Sequence, residues 1–307
     1  MSRIVVALGG NALGNTAAEQ LVKAQTAAKA IADLIQAGHH VVIAHGNGPQ
    51  VGQIRLAFEK YGDADALMPY PECTAMSQGY IGYHLQQSID EELVSRGLDE
   101  IPVVAMLTQV VVDENDDAFK NPNKPVGKYY DKETAKKLMA ESTDKYAEDA
   151  GRGWRRVVPS PKPIDIYEKI TLKTLLDAGQ VVIACGGGGI PVVYRGARYW
   201  GVDAVVDKDF AAAKLAHLVS ADVFLILTAV DRVLINYRKP DELALTDITV
   251  AEAERYAAEG HFAPGSMLPK VRAACEFVSG GGGRRAIIAS LERAGDAIAG
   301  LSGTVIR

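Results

Sequence analysis

The stretch Arg3-Ile4-Val5-Val6-Ala7-Leu8-Gly9-Gly10-Asn11-Ala12 decides how the chain is read. An apolar run of strand length meets two glycines, and a long segment with helical spacing begins near Thr16. Strand, glycine turn and helix in that order are how an α/β fold builds an anion cradle, because backbone N–H groups with no side chain in the way face a phosphate or carboxylate. One glycine pair alone is a weak signal, but the pattern returns twice. Val41-Val42-Ile43-Ala44 runs into His45-Gly46-Asn47-Gly48-Pro49, and Val181-Val182-Ile183-Ala184-Cys185 runs into Gly186-Gly187-Gly188-Gly189-Ile190-Pro191. Ligands of open parallel sheets bind beyond the carboxyl ends of the strands. Three glycine loops at three such ends are therefore expected to share one site.

Outward from these loops the chain alternates. Residues 17–37 read as a helix, with Leu21, Ala24, Ala28, Ile31, Leu34 and Ile35 at helical spacing and Gly38 as the stop. A helix is expected over 50–61, a loop over 68–72, a second long helix over 73–96 and a strand over 103–107. From 113 to 163 the composition turns to charges and prolines, with one short helix candidate at 132–139 and little that reads as a core strand. So long an irregular stretch is expected to be an inserted lobe projecting over the site, with Trp154, Val157 and Val158 as its apolar anchor. Beyond it come a helix over 166–178, a hairpin over 192–200, a helix over 210–218 and a strand over 223–227. Helices over 249–258 and 268–279 and strands over 286–289 and 304–306 complete the chain, with 280–283 as a surface turn. Such alternation predicts a mainly parallel sheet with helices on both faces.

A chain of 307 residues can bury a sizeable core. Its net charge of -5 argues against a general nucleic-acid coat. No apolar run approaches ~20 residues, so no membrane span is expected. Met1-Ser2-Arg3 leads straight into a strand, so no cleavable signal is expected. Cys73, Cys185 and Cys275 are odd in number and far apart, which disfavours a disulfide framework or zinc site and suits a reducing, cytoplasmic setting.

The P-loop, dinucleotide, nucleophile-elbow and zinc-peptidase motifs are all missing from the sequence. Phosphate-binding glycine loops would then need nearby cations. Lys208, in Val206-Asp207-Lys208-Asp209-Phe210, reads either as an anion partner or as a solvated lysine beside a helix cap. Lys270, after Pro264-Gly265-Ser266-Met267-Leu268-Pro269, and Lys124, in the proline-rich insertion, have the same two readings. Asp209 would orient both lysines or cap a helix. His45 is as well explained by structure as by catalysis, Asn11 and Asn47 by turn formation, and Cys185 by burial in a strand. Thr228-Ala229-Val230-Asp231 ends a strand at the same sheet edge, where it would line a nucleotide pocket or simply turn. Lysines and backbone amides without an evident acid–base pair suit phosphoryl transfer to an acceptor that is already an anion, where catalysis is positioning and charge neutralisation.

These residues also resemble a known family. Residues 6–12, His45-Gly46-Asn47-Gly48-Pro49-Gln50-Val51-Gly52, Ala118-Phe119-Lys120-Asn121-Pro122, residues 148–155, Val158-Pro159-Ser160-Pro161-Lys162-Pro163, residues 185–193 and residues 261–270 are similar to segments of the carbamate kinases, over essentially the whole chain. The resemblance implies the amino acid kinase fold, a three-layer αβα sandwich with a mainly parallel central sheet and a protruding subdomain. It implies one domain over 1–307, the subdomain at 113–163 over the active site, 1–200 mainly on the acceptor side and 201–307 mainly on the nucleotide side. It implies ATP + carbamate = ADP + carbamoyl phosphate, run toward ATP in arginine catabolism by a cytoplasmic homodimer. Mg²⁺ would be held mainly by nucleotide phosphates and water, with no metal site of protein ligands. Partners would be small molecules, with no nucleic acid and no membrane.

By the same resemblance, Gly9, Gly10, Asn11, Gly46, Asn47 and Gly48, with Gly187 and Gly188, would hold carbamate and the transferred group. Lys208 and Lys270 would neutralise phosphate charge, Asp209 would position them, and Lys124 would reach in from the subdomain, with Lys128 as the alternative. Thr228, Val230, Asp231, Tyr237, Gly265, Ser266 and Met267 would bind the nucleotide. Ala7 stands where many members of the wider family carry a lysine, an alanine that the carbamate kinases share. Another small-carboxylate kinase of the fold, such as an acetylglutamate kinase, and a non-catalytic nucleotide- or anion-binding module are the alternatives.

Overall fold

Every residue after the first in strand β1 (Arg3–Leu8) is buried, and its side chains alternate between two cores. Ile4, Val6 and Leu8 belong to one core and Val5 and Ala7 to the other. A strand covered on both faces has this continuous apolar run. The computed structural model describes residues 2–9, 14, 16–62, 67–149 and 151–307. Helix α1 (Ala17–Gln36) follows, capped by the Thr16 hydroxyl, which accepts from the Glu19 amide. Then come β2 (His40–His45), α2 (Gly48–Tyr61), α3 (Tyr70–Ser95) and β3 (Val103–Ala105). The sequence placed the start of α3 three residues later. Pro69 and Pro71 signalled a loop, but they occupy the cap and first turn, where a helix has no use for the missing N–H.

The chain now leaves the main sheet through β4 (Gln109–Val112). It forms β5 (Lys124–Tyr130), α4 (Lys132–Glu141), β6 (Lys145–Glu148) and β7 (Trp154–Val158), and returns as β8 (Pro163–Ile166). β5, β7 and β6 make an antiparallel sheet of their own, so the expected irregular insertion is an ordered lobe. Its strands were hidden because paired charges stand where apolar residues usually do. Arg155 is buried against Asp149, and Arg156 forks onto Glu59 of α2 at 2.5 and 2.9 Å. Val126 and Val158 of the lobe pack with Val51, Tyr70, Cys73 and Val205, while Trp154 and Val157 stay outside that cluster.

Helix α5 (Lys169–Asp177), β9 (Val181–Ile183), the hairpin β10 (Ile190–Arg195) and β11 (Arg198–Gly201), α6 (Lys208–Leu218) and β12 (Val223–Thr228) follow. Ile166, read from the sequence as the start of a helix, ends β8 instead, and α5 begins beyond it. The short strands β13 (Leu234–Ile235), β14 (Leu243–Ala244) and β15 (Asp247–Ile248) precede α7 (Val250–Ala258), α8 (Met267–Ser279), β16 (Arg285–Ser290), α9 (Ala294–Ile298) and β17 (Thr304–Ile306). The main sheet has the order β15-β17-β16-β12-β1-β2-β9-β3, and six neighbouring strands from β16 to β3 are parallel. Helices α1, α3 and α9 cover one face, and α5, α6, α7 and α8 the other. This is the three-layer αβα sandwich. A second sheet, β11-β10-β4-β8, lies beside it. No helix among the described residues is long and apolar enough to cross a membrane. All three cysteines are buried free thiols.

The lobe meets the body where two backbones touch. A β-carbon on Gly52 of α2 would lie 2.2 Å from the Gly127 Cα of β5. Gly52→Ala must push the lobe off α2, at an expected cost of about 1–3 kcal/mol. Urea unfolding will read that loss, and faster proteolytic cleavage within the lobe should accompany it. Unchanged stability and cleavage would show that the two backbones separate freely.

Candidate active site

The three glycine loops lie at the carboxyl ends of adjacent parallel strands β1, β2 and β9. Gly9 donates its N–H to the Leu227 carbonyl at 3.0 Å, which ties the first loop to the end of β12 at Thr228. Gly10 and Asn11 lie outside the described residues. The second and third loops interlock. A β-carbon on Gly187 would sit 2.0 Å from Asn47 Nδ2, and one on Gly188 would sit 2.1 Å from the Val206 carbonyl oxygen. Both glycines also have positive φ, 67° and 95°. Packing and backbone conformation therefore both require glycine at these two predicted substrate positions.

Polar groups that the sequence did not single out hold this arrangement. Asn47 Nδ2 donates to Ser77 Oγ at 2.8 Å. Gln78 donates to the Gly186 carbonyl at 3.0 Å and accepts from the Thr108 amide at 2.9 Å. Ser77 and Gln78 are polar residues on the buried face of α3, and their positions in the helical repeat were the available signal. Gly46 and Asn47 are buried, and Gly48 opens α2 with its would-be β-carbon 4.0 Å from the Pro125 carbonyl of the lobe.

The lysines converge on carboxylates. Lys208, the first residue of α6, puts Nζ 2.5 Å from Asp209 Oδ1, and Lys270, in the first turn of α8, puts Nζ 3.0 Å from Asp209 Oδ2. Asp209 is 3% exposed, so this carboxylate is shared by two cations in the interior. Burial works to raise its pKa, but the charges and hydrogen bonds of Lys208 and Lys270 prevail and hold it below the usual carboxylate range. Lys208 shifts downward, through burial first and Lys270 second, against the pull of Asp209. Of the two candidate lysines in the lobe, Lys124 pairs with Asp207 beside this cluster, whereas Lys128 lies over the Tyr130 ring, 4.9 Å from its centroid.

The remaining predicted positions lie at or just beyond the ends of β12 and β13 or at the start of α8. Thr228 ends β12 next to Gly9, and Val230 and Asp231 follow in the turn. Asp231 accepts from Ser290 Oγ at 2.6 Å, at the end of β16. Gly265 and Ser266 precede α8, which Met267 opens. A β-carbon on Gly265 would be 3.6 Å from Asp149 Oδ1, so the lobe reaches this loop too. Tyr237 lies beyond β13, exposed and stacked with Arg238 at 5.1 Å. Cys185 is buried with its thiol pushed up to about 12 by burial, the opposite of an activated nucleophile.

His45 is also buried, and burial pushes its pKa down to about 4, with the Lys208 charge assisting and the Gly46 hydrogen bond opposing. Its Nδ1 donates to the Gly46 carbonyl at 3.0 Å, so the ring is a neutral prop for the second loop. The folded pKa lies below the ordinary 6.5, so this stabilisation is present above pH 6.5 and lost as pH falls through 4. The full loss is about 3 kcal/mol. Urea unfolding between pH 7 and 4 should show stability falling more steeply in the wild type than in His45→Gln. Equal slopes would contradict a buried neutral imidazole.

Comparison with known proteins shows the family. A model of the amino acid kinase family matches residues 2–290. Carbamate kinase of Clostridium perfringens (strain 13 / Type A) is 54% identical, over 99% of this chain and 99% of that protein. Carbamate kinase-like protein YqeA of Escherichia coli (strain K12) is 52% identical, over 99% of this chain and 98% of that protein. Among solved structures, carbamate kinase from Giardia lamblia bound to AMP-PNP has a TM-score of 0.89 at 44% identity, covering 99% of this chain and 98% of that one. The chain belongs to the amino acid kinase family, with the carbamate kinases as its relatives along its whole length.

Proposed function

We propose that the chain is a phosphotransferase catalysing ATP + carbamate = ADP + carbamoyl phosphate. The observation that carries the reading is the pair of lysines sharing the buried Asp209 carboxylate beside the glycine loops. Carbamate is already an anion, so its oxygen needs no general base. The moving phosphoryl group needs positive charge on its equatorial oxygens and an in-line approach. Lys208 and Lys270 supply the charge, and Asp209 fixes where their heads stand before substrate arrives. The loops at Gly9, Gly10, Asn11, Gly46, Asn47 and Gly48, with Gly187 and Gly188, hold the acceptor and the transferred group, Gly187 packing on Asn47 of the second loop and Gly188 on Val206.

Residues 1–200 form mainly the acceptor side and 201–307 mainly the nucleotide side, where Thr228, Val230, Asp231, Tyr237, Gly265, Ser266 and Met267 receive ADP or ATP. The lobe within 113–163 covers the site and delivers Lys124 in place of the charge missing at Ala7. Magnesium would accompany the nucleotide and would be held by phosphate oxygens and water, since Asp209 is already engaged by two lysines. When bound it would neutralise part of the phosphate charge. The assembly is proposed to be a homodimer, as the kinship suggests. Light scattering should give twice the 32.7 kDa chain mass, and a monomer would refute it.

The purified protein is expected to form ATP from ADP and carbamoyl phosphate, and to leave acetylglutamate unphosphorylated. Nucleotide binding without ATP formation would favour a non-catalytic module, and acetylglutamate phosphorylation would favour the other kinase class. Lys270→Ala should lower kcat by about 10²–10³, because its partner charge peaks in the transition state. A change confined to KM would contradict that role. Lys124→Ala should lower kcat with ADP affinity unchanged, and loss of ADP binding alone would place it on the wrong side of the site.

A further inference from the structure

We infer that Asp207 is a positioning residue for this reaction, acting through Lys124. The inference rests on the reading of the lysine cluster as the phosphoryl-transfer site.

The two carboxylate oxygens of Asp207 do different things. Oδ1 accepts from the Asp209 amide at 2.9 Å and caps α6, the helix that carries Lys208 and Asp209. Oδ2 pairs with Lys124 Nζ. One side chain thus joins the first residue of the lobe strand β5 to the first turn of α6. The Lys124 backbone is already fixed. It pairs with Val158 across the lobe sheet, Val158 packs against Val205, and the Val205 amide donates to the Pro159 carbonyl at 2.9 Å. What remains to be set is the lysine head at the end of a flexible four-carbon stem.

The charges alternate along a chain of contacts: Lys124 with Asp207, then Lys208 with Asp209, then Asp209 with Lys270. Asp207 and Asp209 thus compensate two of the three cations, and a phosphoryl group meets a net positive site. With Asp207 neutral, Lys124 loses its carboxylate and faces two like charges with one remaining aspartate between them. A partly exposed lysine in that field is expected to turn its head to water. Asp207 therefore holds Lys124 at the reaction centre before the substrate arrives, which is preorganisation by a neighbouring carboxylate.

The helix cap and the ion pair can be separated, because Asn and Ser cap helices about as well as Asp. A double-mutant cycle on the full chain, assayed with ADP and carbamoyl phosphate, tests the inference. Asp207→Asn should lower kcat about tenfold while the thermal midpoint stays within a few degrees. In a Lys124→Ala background the same change should cost less than about twofold, because the residue it acts through is gone. An equal loss in both backgrounds, or none in the wild type, overturns the inference while leaving the site reading intact. Full activity of Lys124→Ala alone overturns the inference together with the role given to Lys124, and leaves the reading of Lys208, Lys270 and Asp209 standing. If Asp207→Asn fails to fold, Asp207→Ser carries the same comparison.

Discussion

One buried carboxylate shared by two lysines is the constraint to which the site answers. Asp209 meets Lys208 from its own helix and Lys270 from a helix 61 residues further on. Removing three charges from water is costly, and such clusters are seldom retained for stability alone. The helices reach this geometry because their facing residues are small. Ala211, Ala212, Leu215 and Ala216 of α6 share a core with Val271, Ala273 and Ala274 of α8, which brings the two helix starts to one place. The alanine-rich sequence of α6, unremarkable for chemistry, is what lets the two lysine heads meet.

The glycine loops impose a second constraint on the same edge of the sheet. Their strands are neighbours, so the loops are adjacent through backbone pairing before any side chain contributes. Asn47 fills the space that a side chain on Gly187 would need, and Val206 does the same at Gly188. Val206 is next to Asp207, so the packing of the third loop and the position of the charged cluster are set by the same short segment. Backbone rigidity here serves a reaction that is mostly positioning.

The sandwich was legible in the sequence because β1, β2, β9 and β12 are continuous apolar runs and α1 and α3 keep helical spacing. The lobe strands were not, because β7 carries Arg155 and Arg156, paired with Asp149 and Glu59, and the strands β5 and β6 beside it carry lysines and tyrosines where a pattern reader looks for valine. β4 and β8 were missed because each is only four residues long and lies beside the charged insertion. At the site, the glycine loops, Lys208, Lys270 and Asp209 were legible from their places between strand ends and helix starts. The cap reading fell on Asp209, because the helix was expected to start at 210; the helix starts at Lys208, so Asp207 is the cap, and its second oxygen depends on a residue 83 positions away. The helical repeat marks Gln78 as a buried polar residue but does not name its partners, since its bonds to Thr108 and Gly186 exist only once α3 packs on the segments that follow β3 and β9.

A crystal structure with ADP, magnesium and an aluminium fluoride mimic of the transferred group tests the shared-cradle claim most directly. The fluorides should lie about 3 Å from the Nζ atoms of both Lys208 and Lys270, with the Gly9 and Gly48 backbone bordering the same group. A mimic bound away from the two lysines, or bordered by neither glycine loop, would contradict it.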